Sequence, residues 1–175
     1  MAPGPDGLLI RELGAADRVA LAFLFGRLGA TSRYQRFLRV KDELSADDLD
    51  ELTDVDHWHR EALIAWSPVP RAPIGVARYV RCAEFDVAEI AVTVVDTWQR
   101  RGIGGALLLA LRERAERAGI RTFTATMLYG NRGALALVHG LGTSTVASAG
   151  SGALEVSGSW GRPPWRSRAI SRHAT

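Results

Sequence analysis

The sequence predicts one mixed α/β domain built on a central sheet, and three observations lead to that prediction. The chain has 175 residues, a length typical of a single domain. Its 47% hydrophobic and 23% charged residues are ordinary for a globular protein and exclude a collagen-like or wholly disordered chain. Segments with the period of strands alternate with segments of helical period, in the order β-α-α-α-β-β-β-α-β-α-β-β.

The first quarter of the chain is predicted to be mostly helical after one short strand. Leu8–Leu13 is an apolar segment typical of a strand, and Ala15–Leu28 has apolar residues near helical spacing. Ser32–Leu38 predicts a second helix. Ala46–Asp54 predicts a third, because Ser45 can cap its first turn and acidic residues there suit the helix dipole.

Strand signals dominate the middle of the chain. Ala62–Trp66 and Ile74–Val80 predict two strands, and Val87–Val95 predicts a third that is nearly all apolar. Such a strand is typical of the centre of a sheet, so we expect it to be buried on both faces. Ile103–Ala118 predicts an amphipathic helix that turns its leucines inward and Arg112 toward water.

The last third of the domain is predicted to close the sheet. Arg121–Leu128 indicates a strand and Asn131–Gly140 a short helix. Thr143–Ala149 and Ala153–Gly158 then predict a closing hairpin, since a glycine-containing turn separates them. Seven strands in total follow from these segments.

Domain limits and partners are predicted from composition and charge. We expect a flexible N-terminus over 1–7, a folded domain over 8–158 and a disordered basic tail over 159–175. The net charge is +3, yet four arginines and no carboxylate lie beyond residue 155, leaving 18 basic and 19 acidic residues within 1–155. The basic excess therefore belongs to the tail, and we expect no nucleic-acid partner. Neither a membrane-spanning apolar segment nor a signal peptide is seen, which predicts a cytoplasmic protein without a membrane partner.

The most informative segment is the glycine-rich loop Gln99–Gly105, QRRGIGG, between a strand and a helix. Its glycines allow close approach of a ligand, and the free amides of the following helix favour a diphosphate. A nucleoside-triphosphate loop needs Gly-Lys-Ser/Thr, whereas Ala106 follows here. A dinucleotide fingerprint needs a further glycine where Leu107 stands. A tight turn without a ligand is the remaining alternative, although it leaves the two arginines of the loop unexplained.

This segment resembles the GCN5-related N-acetyltransferase (GNAT) superfamily. The loop pattern Q-x-x-G-x-G follows an AVTV strand, and the pattern N-x-x-A-x-x-L begins at Asn131. The resemblance implies a GNAT fold, which is a central, mixed but largely antiparallel sheet of about seven strands flanked by helices. It also implies that acetyl-CoA is the acetyl donor and that no metal takes part.

Further segments are similar to the acetyltransferase domain of bacterial protein-lysine acetyltransferases: SRYQRFL, LSADDLDELTDVD, EALIAW and GVARYVR. This resemblance implies direct transfer of an acetyl group to a protein lysine. Two alternatives stay open. One is a small-amine acetyltransferase acting on a polyamine, an amino acid or an antibiotic. The other is a non-catalytic module that binds acetyl-CoA and reports its level.

Site residues follow from the resemblance. Glu89 is the expected general base, because it lies on the strand before the loop in a partly desolvated position; Glu84 and Asp86 are the alternatives. Residues expected to bind acetyl-CoA are Val92, Thr93, Val94, Gln99, Arg100, Arg101, Gly102, Ile103, Gly104, Gly105 and Asn131.

Five further positions bear on the chemistry. Many relatives carry a tyrosine that protonates the departing thiolate, where this chain has Val138. Tyr129 and His139 lie nearby in sequence but do not match that position, so the acid is left open. His57 and His59 lie in a predicted loop, where exposure to solvent is favoured over metal binding or contact with the acceptor.

Overall fold

A computed structural model of the protein describes residues 7–150 and 152–160. Within them the strands are β1 (Leu9–Glu12), β2 (Arg60–Trp66), β3 (Pro73–Arg81), β4 (Val87–Val94), β5 (Thr122–Leu128), β6 (Gly142–Gly150) and β7 (Ala153–Trp160). The helices are α1 (Arg18–Gly26), α2 (Ala30–Phe37), α3 (Ala46–Thr53), α4 (Ile103–Arg117) and α5 (Arg132–His139). The order of elements is the one predicted from the sequence.

The seven strands form a single sheet in the order β1-β2-β3-β4-β5-β7-β6. Every neighbouring pair is antiparallel except β4 and β5, which are parallel and joined by α4. The predicted fold class, a mixed and largely antiparallel sheet flanked by helices, is confirmed.

The parallel pair is short, and its shortness creates the central feature of the fold. β4 pairs with β5 only over Val87–Glu89, while β4 stays paired with β3 as far as Val94. β5 in turn stays paired with β7 as far as Leu128. Beyond Glu89, the two central strands therefore diverge and leave a wedge between them.

Helices cover both faces of the sheet. On one face α4 packs across β2, β3 and β4, burying Leu107, Leu108 and Leu111. On the other face α1 packs on β3, where its side chains contact Val76. Successive side chains of β3 point to opposite faces of the sheet, so Val76 faces α1 while Ala77 packs with the α4 cluster on the other face. Within the described residues, no helix is long and apolar enough to cross a membrane.

Two short helices cover the wedge and its surroundings. α3 begins where the sequence predicted, since the Ser45 hydroxyl accepts from the Asp48 amide at 3.1 Å and the Asp48 carboxylate accepts from the Ser45 amide at 2.8 Å. α2 ends at Leu38, whose φ of 54° is left-handed. α2 contacts both β4 and β5, which places it over the wedge.

Two expectations about burial are wrong. β4 is not buried on both faces, because the wedge and the space under α2 expose part of it; Glu89 is exposed and Ala91 is half-buried. Arg112 does not face water, being only 8% exposed. Its guanidinium donates to Glu116 at 3.0 Å and to the carbonyl of Leu141 at 3.3 Å, which satisfies a charge that periodicity alone would place outside.

The predicted domain end at residue 158 is two residues too early. Ser159 and Trp160 continue β7, and the Trp160 ring lies 4.7 Å from the ring of Phe123. The indole nitrogen of Trp160 also donates to the carbonyl of Ile120 at 3.1 Å. The packing of a half-buried tryptophan on Phe123 therefore accompanies the extra residues of the strand. The rest of the predicted tail, 161–175, and residues 1–6 lie outside the described residues.

Candidate active site

The wedge opens into a cavity of about 820 Å³. Ten of the twelve residues that the sequence assigned to the site line it: Glu89, Val92, Thr93, Val94, Gln99, Arg100, Gly102, Gly104, Gly105 and Asn131. The other two do not. The Arg101 guanidinium lies over the ring of Trp98 at 4.9 Å, and Ile103 is buried in the core.

The N-terminus of α4 forms one wall of the cavity. Gly102 precedes the helix with φ of 80°, and no side chain caps it. The first helical bond runs from Ala106 N to Gly102 O at 3.0 Å, so the amides of Ile103, Gly104 and Gly105 precede the hydrogen-bond ladder. Three open amides at the positive end of a fifteen-residue helix suit an anion such as a diphosphate.

The glycines of this turn have different roles. A side chain at Gly104 would place its Cβ 3.0 Å from a methyl group of Leu137, so this glycine lets α5 pack on α4. At Gly105 the same atom would meet Leu137 only at 4.0 Å, an ordinary contact. Packing in a tight turn therefore explains Gly104 but not Gly105. Gly105 lines the cavity, where the lack of a side chain leaves room for a ligand.

Gln99 is held by the protein itself. Its side-chain amide donates to the carbonyl of Val94 at 3.0 Å and to the hydroxyl of Ser32 at 3.2 Å. It lines the cavity, but its side-chain hydrogen bonds join the end of β4 to α2. Its contribution to the site is to fix these two elements relative to each other.

Asp96 completes this connection. Its carboxylate accepts from the Ser32 hydroxyl at 2.6 Å and from the Gly29 amide at 2.8 Å, next to the N-terminus of α2. Burial is the largest single influence and raises the pKa of Asp96, but these hydrogen bonds outweigh it and the pKa is lowered. The β4–α4 loop is therefore tied to the helix that covers the wedge.

Asn131 caps α5 and also lines the cavity. Its side-chain oxygen accepts from the amide of Ala134 at 3.1 Å. The capping bond uses the oxygen only, so the side-chain nitrogen keeps its donors for a ligand. The structural and the binding interpretation of this residue are compatible.

Glu89 lies where the wedge begins. It is the last residue of β4 paired with β5, opposite Thr124, and it pairs with Val80 on its other side. Its side chain is exposed at the rim of the cavity, so the expected partial desolvation is wrong. The alternatives Glu84 and Asp86 lie in the preceding turn and do not line the cavity.

Comparison with known proteins now decides the family. The model of the acetyltransferase (GNAT) family matches residues 31–142. The chain belongs to this family. It is 32% identical over 137 residues to acetyltransferase PA5475 of Pseudomonas aeruginosa, covering 77% of this chain and 74% of that protein. GNAT enzymes take their acetyl group from acetyl-CoA, so this chain is an acetyl-CoA-dependent acetyltransferase.

Solved GNAT structures share the fold. The GNAT domain of S. lividans PAT has a TM-score of 0.80 and 27% identity, covering 90% of this chain and 94% of that one. yncA of Salmonella typhimurium, solved with its cofactor acetyl-CoA, has a TM-score of 0.68 at 18% identity, covering 96% of each chain. The second likeness concerns the fold alone.

No tyrosine lines the cavity of this GNAT domain among the described residues. Val138 is 3% exposed and forms part of the wall. Tyr129 is 79% exposed, and neither it nor the exposed His139 lines the cavity. The position where many relatives carry an acid is therefore apolar here.

Sequence reasoning missed the charged residues on the other side of β4. Arg36 of α2, Glu51 of α3 and Arg78 of β3 line the cavity near Glu89. Arg78 is only 8% exposed. One signal was available in the sequence. Strand alternation places Arg78 on the same face as Val76, so an arginine interrupts an inward-facing apolar row.

The two loop histidines do not contribute to the cavity. The imidazole of His57 contacts the Glu61 carboxylate at 2.9 Å, and that of His59 contacts Asp56 at 3.0 Å. The Asp56 carboxylate also accepts three main-chain amides of this turn, so the loop is ordered by its own hydrogen bonds. In the described part of the chain, no group of three or more His, Cys, Asp or Glu residues is placed to hold a metal.

Proposed function

We propose that this GNAT enzyme transfers the acetyl group directly to the side chain of a protein lysine, with Glu89 as general base. The observation that carries the proposal is the position of Glu89, exposed at the cavity rim where β4 leaves β5. A lysine side chain presented on a protein surface can reach a carboxylate in this position. The resemblance to bacterial protein-lysine acetyltransferases supports the same acceptor.

The donor half of the site is formed largely by main-chain groups. The open amides of α4 and the guanidinium of Arg100 favour a diphosphate at one end of the cavity. The diverging edge of β4, with Val92 and Val94, offers main-chain groups to a pantetheine arm in the wedge. When bound, acetyl-CoA supplies a thioester carbonyl at the end of this path.

Glu89 handles the proton of the acceptor. An amine arrives mostly as an ammonium ion, which has no lone pair, and the Glu89 carboxylate accepts its proton directly or through water. The free amine then forms a bond to the acetyl carbon, its nitrogen loses a second proton to water, and the carbon–sulfur bond breaks. Because Val138 offers no proton, the thiolate takes one from solvent, which a thiol of pKa about 8.5 permits.

A small amine is the second candidate acceptor, and one observation favours it. Arg78 and Arg36 place positive charge inside the cavity, where a small molecule with an anionic group could be bound. A module that only binds acetyl-CoA is distinguished from both by the absence of turnover with any amine.

The test is the Glu89→Gln variant, assayed by release of the CoA thiol with a panel of lysine peptides and small amines. We expect turnover to fall by about 10²- to 10⁴-fold, the usual contribution of a positioned base. Glu84→Gln is the matched control, because it removes a carboxylate from the exposed turn beside β4. Full turnover of Glu89→Gln would remove this residue from the mechanism, and no release by the wild type with any amine would favour the binding module.

A further inference from the structure

Arg78 is a mostly buried arginine whose guanidinium lacks hydrogen bonds among the described residues, although the carboxylates of Glu51 and Glu89 attract it at longer range. It is 8% exposed, and it forms no hydrogen bond or ion pair with residues 7–150 and 152–160. A buried guanidinium normally has partners for its donors, because its desolvation is costly. Its guanidinium lines the cavity, so its free donors face a space that a ligand can enter.

A second polar group without a partner lies beside it. The hydroxyl of Thr93 is buried and forms no hydrogen bond within the described residues. Thr93 pairs with Val76 while Arg78 pairs with Ala91, so Thr93 and Arg78 are diagonal neighbours on one face of the sheet. A buried hydroxyl and a guanidinium that lines the cavity are thus adjacent, and neither has an acceptor among the described residues. An acceptor group entering from the cavity would satisfy both.

The space next to these two groups has the size of a small anion. A recess of about 40 Å³ continues from the cavity and is lined by Arg36, Arg78 and Thr93. Its other walls are mostly apolar, formed by side chains such as Phe25 and Leu52. One water in the liquid takes about 30 Å³, so the recess accommodates a group of about the size of a carboxylate.

Charge is distributed unevenly between the recess and the rim. Glu51 and Glu89 are exposed, whereas Arg78 is buried and Arg36 is half-buried. Burial lowers the pKa of Arg78, and burial together with the charge of Arg78 lowers the pKa of Arg36 to about 10. Because two nearby guanidinium groups repel each other, binding an anion between them is electrostatically favourable. The carboxylates of Glu51 and Glu89 at the rim instead favour a cation.

We propose that Arg78, with Arg36 and the Thr93 hydroxyl, binds a carboxylate carried by the acceptor, whose amine is thereby held at Glu89. Arg78 and Glu89 are diagonal neighbours across the β3–β4 ladder, a spacing of about 7–8 Å that is somewhat shorter between the Cβ atoms. The acceptor therefore carries its amine and its carboxylate close enough in space to reach both side chains. This inference rests on the proposed function, because it assumes that the amine is acetylated at Glu89.

The geometry favours this class over a purely cationic acceptor. A planar guanidinium matches a carboxylate with two parallel hydrogen bonds. A polyamine would bring positive charge toward two guanidinium groups and leave their donors unsatisfied. The carboxylate can belong to a free amino acid or to an acidic residue beside the target lysine of a protein.

The experiment compares acceptors that differ only in the carboxylate, in wild-type protein and in Arg78→Met. One arm pairs free lysine with 1,5-diaminopentane, which is the same amine without the carboxylate. The other arm pairs lysine peptides that carry Glu beside the lysine with peptides that carry Gln. Arg78→Lys tests rescue by charge, and Arg117→Gln is the control, because this arginine is 72% exposed and does not line the cavity.

We expect wild-type kcat/KM to be about 10- to 100-fold higher for the carboxylate-bearing member in one of the two arms. The arm that shows this preference identifies whether the carboxylate belongs to a free amino acid or to a protein. Arg78→Met should remove this preference by lowering kcat/KM much more for the carboxylate-bearing member than for the carboxylate-free one. Arg78→Lys should restore part of the preference, and Arg117→Gln should keep all of it. An equal loss on both members, or no preference in the wild type, would overturn the inference.

Binding of reaction products separates this inference from the proposed function. Acetylated lysine and its carboxamide are titrated into the protein with CoA, where no turnover is needed. A preference of wild type for the carboxylate form that Arg78→Met lacks supports the inference even if no amine is acetylated. Equal binding of the two forms overturns it even if lysine peptides are good substrates.

Discussion

The two sides of β4 are built in different ways. On the donor side, the site consists of main-chain amides at the start of α4 and the unpaired edge of β4, within the continuous segment 90–105. On the acceptor side, it consists of side chains from three separate elements, represented by Arg36, Glu51 and Arg78. Members of the family share the cofactor but differ in the acceptor. A cofactor site made of main-chain groups stays the same when side chains change, whereas an acceptor site made of side chains can vary.

This difference between the two sides predicts which substitutions affect acetyl-CoA and which affect the acceptor. Donor-side substitutions that disturb main-chain geometry or charge should weaken acetyl-CoA binding whatever the acceptor. Acceptor-side substitutions should change selectivity and leave acetyl-CoA binding intact.

The largest effect on the donor side is expected from Gly105→Asp. A carboxylate here would face the diphosphate, and we expect acetyl-CoA affinity measured by calorimetry to fall by about 100-fold or more. The fold should be preserved, because an acidic residue in the first turn suits the helix dipole and the new Cβ meets Leu137 only at 4.0 Å.

Gly105→Ala is the control for this variant. It adds the same Cβ without the charge, so its affinity should stay within about threefold of wild type, well below the loss expected for a charged group. An equal loss in both variants would mean that the packing of α4 and not the anion site was disturbed.

A smaller effect is expected from Asp96→Asn, at the junction of the two sides. Losing the charged acceptor of Ser32 and Gly29 should lower the free energy of unfolding at pH 7 by about 1 kcal/mol, measured with urea. Because the folded state lowers the pKa of Asp96, this stabilisation is present above the unfolded pKa, near 3.9, and is lost as the pH falls through the folded value. The difference between wild type and variant should therefore shrink below about pH 4; a difference that stays constant there would contradict this assignment.

The smallest effect is expected from Tyr129→Phe. The phenol is 79% exposed outside the cavity, so it has no route to the departing sulfur. Turnover should change by less than about twofold, far below the usual contribution of a general acid. A loss of tenfold or more in steady-state kcat would show that Tyr129 reaches the site during the reaction.

The donor side was predictable because its signal is local. The loop Gln99–Gly105 is contiguous, and its glycines are needed for a helix start with open amides. The exact roles were not predictable, since only packing shows that Gly104 contacts Leu137 and that Gln99 holds Val94. The acceptor side was missed because its residues are distant in sequence and meet only through tertiary structure.

The wrong expectations have the same origin. Periodicity placed Arg112 in water, but a carbonyl of a distant loop and Glu116 supply its partners in the interior. Apolar composition placed β4 inside on both faces, yet its divergence from β5 exposes Glu89. Hydrophobic pattern and composition describe one element at a time, whereas the burial of a residue depends on how neighbouring elements pack against it.

The most direct test of the division between the two sides is the acetyl-CoA affinity of Glu89→Gln, measured by calorimetry on the protein whose turnover has been shown to fall. Glu89 lies at the rim, away from the open amides of α4, and in the proposed mechanism it acts on the acceptor. Its loss should leave the Kd for acetyl-CoA within about twofold of wild type while turnover falls by about 10²-fold or more. A Kd that rises in parallel with the loss of turnover would contradict the account, because Glu89 would then belong to the donor side.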